Sequence, residues 1–442
     1  MPENLTHCLR YGTHAEREFF LGSYAEDGFY DGVLVNANMV AWAPKAMSAF
    51  ILSLTKPFFI DPQTHAFQHD FDFIKGKNGS PKQSITNLAN IYGDLTMNAL
   101  ASNQPLNASD FVSDAICDEF AKKVVAFQKE TIYQTATSGP ESEYVKFALD
   151  DADSGLSRGN LAPAGIIAPY LYTESEELLE VNRRLVLSAK GPAEDKPLIA
   201  QLVLAKELLS DNVSREKVVT TFASLSAETI FVWIDEFDET EVSESMLSNF
   251  KDLVTRLSQS GKKVVNLYGG YFSILMTKVP NGLSGVCHGM EYGESRKVVP
   301  VGGGLPRAKY YFRPLHKRLS AEDFARIVST RTGGLEKGSN DPAFAREVCD
   351  CEMCKDLDQF AETQTYEIKS KRGVRRGETS TSAAKVHSLT HYLINKKKEF
   401  GFVRDNTLPV LLKDLQDSYK RYSPVAGTNT AHLERWVKVL ST

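Results

Sequence analysis

Three cysteines crowd into six residues, Cys349-Asp-Cys351-Glu-Met-Cys354. Thiolates at that spacing can turn around one ion in a tight loop, and a tetrahedral zinc site wants four nitrogen or sulfur ligands. The fourth is expected downstream. His387 and His391 stand four apart in Lys385-Val-His-Ser-Leu-Thr-His-Tyr-Leu, on one face of an expected helix. Spacing alone leaves either one open. Three thiolates and an imidazole would close the coordination sphere, so the site reads as structural rather than catalytic. The other cysteines, 8, 117 and 287, are scattered. That is a poor disulfide framework, and it points to a reducing compartment, the cytoplasm.

A second constellation comes from the ends of apolar runs. Reading the residues there gives Asn36 and Asn38, Asp61, Tyr170 and Tyr172, Gln201, Asp235 with Glu236, Tyr268 with Gly269 and Gly270, and Cys287 with His288. A polar or ionisable group at nearly every such end would converge on one mouth if the runs are parallel strands. Asp61, Asp235 and His288 are the candidate acid–base or nucleophilic groups, with Gln201 and the Tyr268-Gly269-Gly270 turn as candidate substrate contacts. A glycine-rich stretch, Gly289 to Arg296 and then Gly302 to Gly304, could cradle a phosphate, although it lacks P-loop or dinucleotide spacing.

The third signal is charge. Lys369-Ser-Lys-Arg-Gly-Val-Arg-Arg376 carries five cations in eight residues. Arg372, Arg375 and Arg376 could pair with phosphates without reading sequence. The formal net charge of −5 hides an asymmetry: residues 301–442 hold 25 Lys+Arg against 17 Asp+Glu, a net of +8, which leaves −13 on the first 300. An acidic body with a basic C-terminal third suits a polyanionic partner. No apolar stretch of about 18 residues suggests a membrane span, and the polar N-terminus does not read as a signal peptide.

The elements that must position these residues follow from the apolar runs. Eight recur, rich in β-branched and aromatic residues: 32–38, 57–61, 165–172, 197–204, 229–235, 263–270, 282–289 and 309–312. Helical patterns lie between them, at about 44–54, 175–187 and 243–260, and Ser320 with Asp323 opens another. The runs are nearly continuously apolar, as strands buried on both faces must be, so a parallel sheet is expected. Eight of them with helices fit an α/β fold, a (β/α)8 TIM-like barrel over residues 1–330. A doubly wound open sheet is the runner-up. The polar, helical segment at about 62–160 is too long for a plain loop and reads as a helical insertion after the second run. Residues 331–442 read as a zinc-binding and helical subdomain.

Barrel, then Cys-x-Cys-x-x-Cys, then a helix carrying His391-Tyr-Leu393 before Glu399 and Gly401, resembles the tRNA-guanine transglycosylases, in order from about residue 30 onward. The resemblance implies a barrel, zinc and a nucleic-acid ligand held partly by the zinc subdomain. It implies exchange of guanine for a 7-deazaguanine through a covalent glycosyl–aspartate intermediate. Phe59-Ile-Asp61 with Phe67-Gln68 resembles the family's aspartate-bearing turn, and Gln201 the glutamine that contacts the base. Tyr268-Gly-Gly270 resembles its glycine turn. Val286-Cys287-His288 stands where the family places its nucleophilic aspartate, and Pro169 to Tyr172 where it places another acid. Arg404-Asp-Asn406 occupies the place of its usual zinc histidine.

Three functions are therefore expected in competition. One is a base-exchange enzyme on nucleic acid, a glycosyltransferase using Asp61 and Asp235. Another is a non-catalytic barrel and zinc subunit that binds nucleic acid or a partner protein, including a second copy of itself. The third is a small-molecule hydrolase using His288 and Asp235.

Overall fold

The computed structural model describes residues 6–76, 78–138, 142–150, 161–291, 293–299, 307–332, 338–370 and 373–442. The chain divides into two compact units. The first comprises residues up to 238 with 245–269 and 279–301. The second takes 239–244, 270–278 and 302–442. Each is described by itself.

The first unit is a mixed α/β body around one parallel sheet. Its strands are β1 (His7–Tyr11), β2 (Gly32–Asn36), β3 (Phe58–Asp61), β4 (Ile166–Ile167), β5 (Tyr172–Thr173), β6 (Leu198–Leu204), β7 (Thr229–Ile234), β8 (Lys263–Asn266) and β9 (Gly285–Gly289). The order is β3-β2-β1-β9-β8-β7-β6-β4, with β5 a short addition along the end of β6. Every pairing in it is parallel. Eight strands thus form a nearly closed barrel. At the β3–β4 seam the Ala164 N–H donates to the Phe58 carbonyl at 2.9 Å. Ile167 turns instead to a side chain: the Gln128 amide accepts from its N–H at 3.0 Å and donates to its carbonyl at 2.8 Å. Gln128 lies on the helix Asp114–Ala136, so one buried glutamine satisfies the backbone that a β3 partner would otherwise pair.

Two expectations change here. The run at 309–312 is not the eighth barrel strand. It pairs antiparallel with 317–319 in the second unit. The missing strand is β1, His-Cys-Leu-Arg-Tyr, buried along its whole length between β2 and β9. Its histidine and arginine disguise it as polar sequence, and both are buried only because each finds a partner. Between β3 and β4 the described chain is helical, with Gln83–Tyr92, Asp94–Ser102 and Asp114–Ala136 its longest ordered pieces.

Strand side chains alternate between faces. The buried cluster inside the barrel contains Cys8, Leu34, Phe59, Ile199, Val203, Phe231, Trp233, Val265 and Cys287. By the two-residue period Arg10, Asn36, Asp61 and Gln201 share that inner face.

The second unit holds the hairpin β10 (Tyr310–Phe312) and β11 (Lys317–Leu319) and the ribbon β12 (Thr363–Ser370) and β13 (Gly373–Ser380). Its helices include Ala321–Thr332, Ser382–Asp405, Leu408–Ala426 and Ala431–Ser441. Among the described residues the ribbon pairs only with itself. No helix among the described residues is long and apolar enough to cross a membrane.

Candidate functional site

Inside the barrel, β1, β2 and β3 bring three polar side chains together. The Arg10 guanidinium donates to Asn36 Oδ1 at 2.5 Å and to Asp61 Oδ2 at 2.9 Å. Asp61 Oδ1 accepts from the Tyr170 hydroxyl at 2.6 Å and from the Gln63 N–H at 3.1 Å. Gln63 itself adopts a left-handed backbone, φ 51°, in the turn that leaves β3. Asp61 has no exposed surface and Arg10 only 3%. Burial alone would push the Asp61 carboxyl up, but the Arg10 charge, with His65 and Tyr170, overcomes it and holds the group below the usual carboxylate range. Burial and neighbouring His69 depress His65 to about 3, so its ring is neutral. Its Nδ1 lies 3.1 Å from the Tyr170 oxygen. Because that hydroxyl donates to Asp61, His65 carries its proton on Nδ1.

Asp235 is half-buried just beyond β7. It accepts from the Val298 N–H at 2.7 Å and from the Tyr172 hydroxyl at 3.1 Å. Tyr170 and Tyr172, two residues apart, therefore each give a phenol to one of the two aspartates. Trp233, Tyr268 and Arg296 roof this region. Arg10 lies 4.9 Å from the Tyr268 ring centroid, and Arg296 donates to the Tyr268 hydroxyl at 3.2 Å. The Gly269 N–H donates to the Cys287 carbonyl, and Gly270 precedes the helix Tyr271–Met276. The Arg296 guanidinium is thus turned onto aromatic rings, and Gly302 to Gly304 lie outside the described residues.

Gln201 stands apart. It faces inward on β6 between Ile199 and Val203, is 1% exposed, and among the described residues neither its amide oxygen nor its nitrogen has a partner. An orphaned buried amide costs about 1–3 kcal/mol per unsatisfied group.

His288 does not join this cluster. Cys287 faces the barrel interior, so its neighbour must face outward. There His288 Nε2 meets His7 Nε2 at 2.8 Å on the outer side of the sheet. The alternation of β9 decides this, and it could have been read from the run itself. Arg10 is a site residue that the sequence did not reveal. Its only signal was a lone cation inside a short strand of otherwise apolar or aromatic residues.

A cluster that could hold a metal ion lies in the second unit. Cys349, Cys351, Cys354 and His391 are all buried, and their ligand atoms lie within 4.8 Å of one another. Cys351 Sγ is 3.5 Å from Cys354 Sγ and 3.2 Å from His391 Nδ1, and Cys354 Sγ is 3.4 Å from that nitrogen. A tetrahedron with metal–sulfur bonds near 2.3 Å has edges of about 3.8 Å, so the four atoms need little movement to hold one ion. The opposite ring nitrogen of His391 donates to the Tyr311 carbonyl at 2.8 Å. That bond leaves Nδ1 free to ligate. His387, one turn earlier, turns its Nε2 to the Met353 carbonyl at 2.5 Å and is not a ligand here. Of the two histidines left open by spacing, His391 is the one in the cluster.

Arg376 lies on β13, exposed, donating to Glu367 across the ribbon at 2.7 Å. Arg375 lies on the same strand, in register with Ile368. Arg372 falls outside the described residues.

Comparison with protein-family models, with curated proteins and with solved structures finds no match to this chain. Its character therefore rests on its own geometry: a parallel barrel with a buried polar cluster, and a second unit with a Cys3His cluster.

Proposed function

We propose that this chain is a divergent transglycosylase-like protein with a (β/α)8 barrel. It acts on the glycosidic bond of a nucleic acid, with guanine or a 7-deazaguanine as the exchanged base. The observation that carries the reading is Gln201: an amide with no partner, held inside the barrel whose inner layer also contains the Arg10–Asp61 pair. An amide offers one donor pair and one acceptor, the complement of a purine edge. Asp61 is ionised and weakly basic, which suits attack at a sugar carbon better than proton removal. In that step the C1′–N bond breaks with its electron pair leaving on the base, and a carboxylate oxygen bonds C1′. The departing base takes up a proton; the incoming base then gives up its ring N–H proton and bonds C1′ through that nitrogen as the C1′–O bond to Asp61 breaks. Both Asp61 oxygens are hydrogen-bonded, and Oδ1, held by the neutral Tyr170 hydroxyl and Gln63 N–H, is the one that would be released to attack. Asp235 is the second carboxylate. The metal is proposed to be zinc, because three thiolates and an imidazole in a buried, closed set suit it. It would hold the second unit's fold, and the basic surface there would contribute to the grip on nucleic acid.

The test is incorporation of labelled guanine into tRNA or duplex DNA, read by mass spectrometry of the nucleosides. Wild type is expected to exchange the base. Asp61→Asn should abolish exchange while nucleic-acid affinity stays within about twofold, since shape is kept and charge removed. No incorporation by wild type into either substrate overturns the enzymatic reading.

A second reading is favoured by the same pair. Asp61 is wholly buried against Arg10, and Cys287-His288 supplies no acid at the end of β9. A non-catalytic subunit that binds nucleic acid or a partner protein accounts for both. It predicts nucleic-acid binding without exchange, unchanged by Asp61→Asn.

A further inference from the structure

The second unit contains a cavity of about 440 Å³ beside the metal cluster. That is the size of a metabolite site. Cys349 and Asn395 line it on one side and the helix Leu408–Ala426 on another. Nine of its nineteen lining residues carry a formal charge, so an apolar occupant would strand ions without solvent.

Most of those charges are already matched. Glu347 pairs with Arg346 and Arg421, and Asp350 with Lys398. Glu399 is buried against Lys396 at 3.0 Å and His316 Nδ1 at 2.6 Å, and accepts from the Tyr311 hydroxyl with both oxygens. Three lining charges make no ion pair among the described residues: Arg313, Asp414 and Asp417. Arg313 and Asp414 both lie close enough to Tyr271 to act on its hydroxyl, in opposite directions.

Two buried polar atoms on the same wall are also unmatched. Among the described residues, His316 is 5% exposed with no partner for Nε2, and Tyr271 is 1% exposed with none for its hydroxyl. The two rings stack at 3.4 Å between centroids. With Nδ1 turned to Glu399, His316 leaves Nε2 facing the cavity side of the ring, where a polar group of a ligand can meet it. The unmatched set is therefore one cation, two anions, one ring nitrogen and one hydroxyl.

We propose that this cavity binds a free basic amino acid of the lysine class. Its α-carboxylate pairs with Arg313. Its two ammonium groups pair with Asp414 and Asp417, and its polar atoms face His316 Nε2 and the Tyr271 hydroxyl. The ligand's net charge of about +1 offsets the wall's unmatched −1. This assignment concerns the second unit alone and does not depend on base exchange in the barrel.

The test is calorimetric titration of the full, metal-loaded chain with L-lysine, lysinamide and succinate. L-lysine should bind, lysinamide should bind about tenfold more weakly, and succinate should not bind. Asp414→Asn should weaken L-lysine by about tenfold. Arg313→Ala should weaken L-lysine but leave lysinamide unchanged, because that ligand has no carboxylate to lose. Both substitutions are at partly or fully exposed positions, and metal content checks that the unit remains folded. Absence of binding at about 10 mM L-lysine overturns the proposal. So does lysinamide binding as tightly as lysine, or an affinity indifferent to both substitutions.

Discussion

Arg10 and Asp61 decide each other's state. A carboxylate with no exposed surface is tolerated because a guanidinium lies 2.9 Å away and a phenol and an amide supply further donors. Arg10→Met keeps length and removes the charge. It should destabilise the chain by about 3–5 kcal/mol at neutral pH, because Asp61 is left buried and unpaired. The sign against pH follows from the direction of the shift. Asp61 is held below its ordinary value in the folded chain, so its contribution is complete above the unfolded value of about 3.9 and is lost as pH falls through the folded one. Without Arg10, burial pushes the Asp61 carboxyl up, so the variant takes up a proton as pH falls and sheds the cost of an unpaired buried charge. The deficit of the variant should shrink between pH 7 and about pH 3.5, in urea unfolding of both proteins, with metal loss common to the two. A deficit equal at both pH values would mean that the pair does not set the ionisation. At this scale Asp61, Asp235 and Gln201 were legible from sequence, because each ends or lies in an apolar run with the right parity. Arg10 was not, since a buried cation is recognisable only once its anion is placed.

Elements carry the larger corrections. Most barrel runs were readable because continuously apolar stretches with β-branched and aromatic residues leave few alternatives. β1 escaped because two of its five residues are His7 and Arg10. The run at 309–312 stood in its place because apolar content cannot tell parallel from antiparallel pairing. The helix Ser382–Asp405 shows the same limit. His387 and His391 share one face by their spacing, and only the height of the cysteine loop along the helix chooses between them. His391→Ala should therefore lose most of the bound metal and lower the melting temperature. His387→Ala, which removes a single bond to the Met353 carbonyl, should keep nearly one ion per chain by metal analysis. Equal metal loss in the two variants would mean that both rings, or neither, coordinate.

Across the whole molecule, charge is divided unequally along the chain: −13 over the first 300 residues and +8 over the last 142. That gradient does not choose a fold, but it bears on which part of the chain a polyanion would meet. The strands β12 and β13 carry Lys369, Arg375 and Arg376. Among the described residues their ribbon belongs to no larger sheet, and Arg376 spends its guanidinium on Glu367 within the ribbon, at an exposed pair worth little in water. A phosphate could replace such a partner at small cost, releasing condensed counterions as it binds. Replacing Arg372, Arg375 and Arg376 together by alanine should weaken nucleic-acid binding and flatten the plot of log affinity against log salt. The slope should fall by up to about 0.9 for each duplex-DNA phosphate that the variant no longer neutralises. The slope is more telling than the affinity, because a structural fault elsewhere would lower affinity at every salt concentration and leave the slope as it was. An unchanged slope in the triple variant would take the ribbon out of the interface.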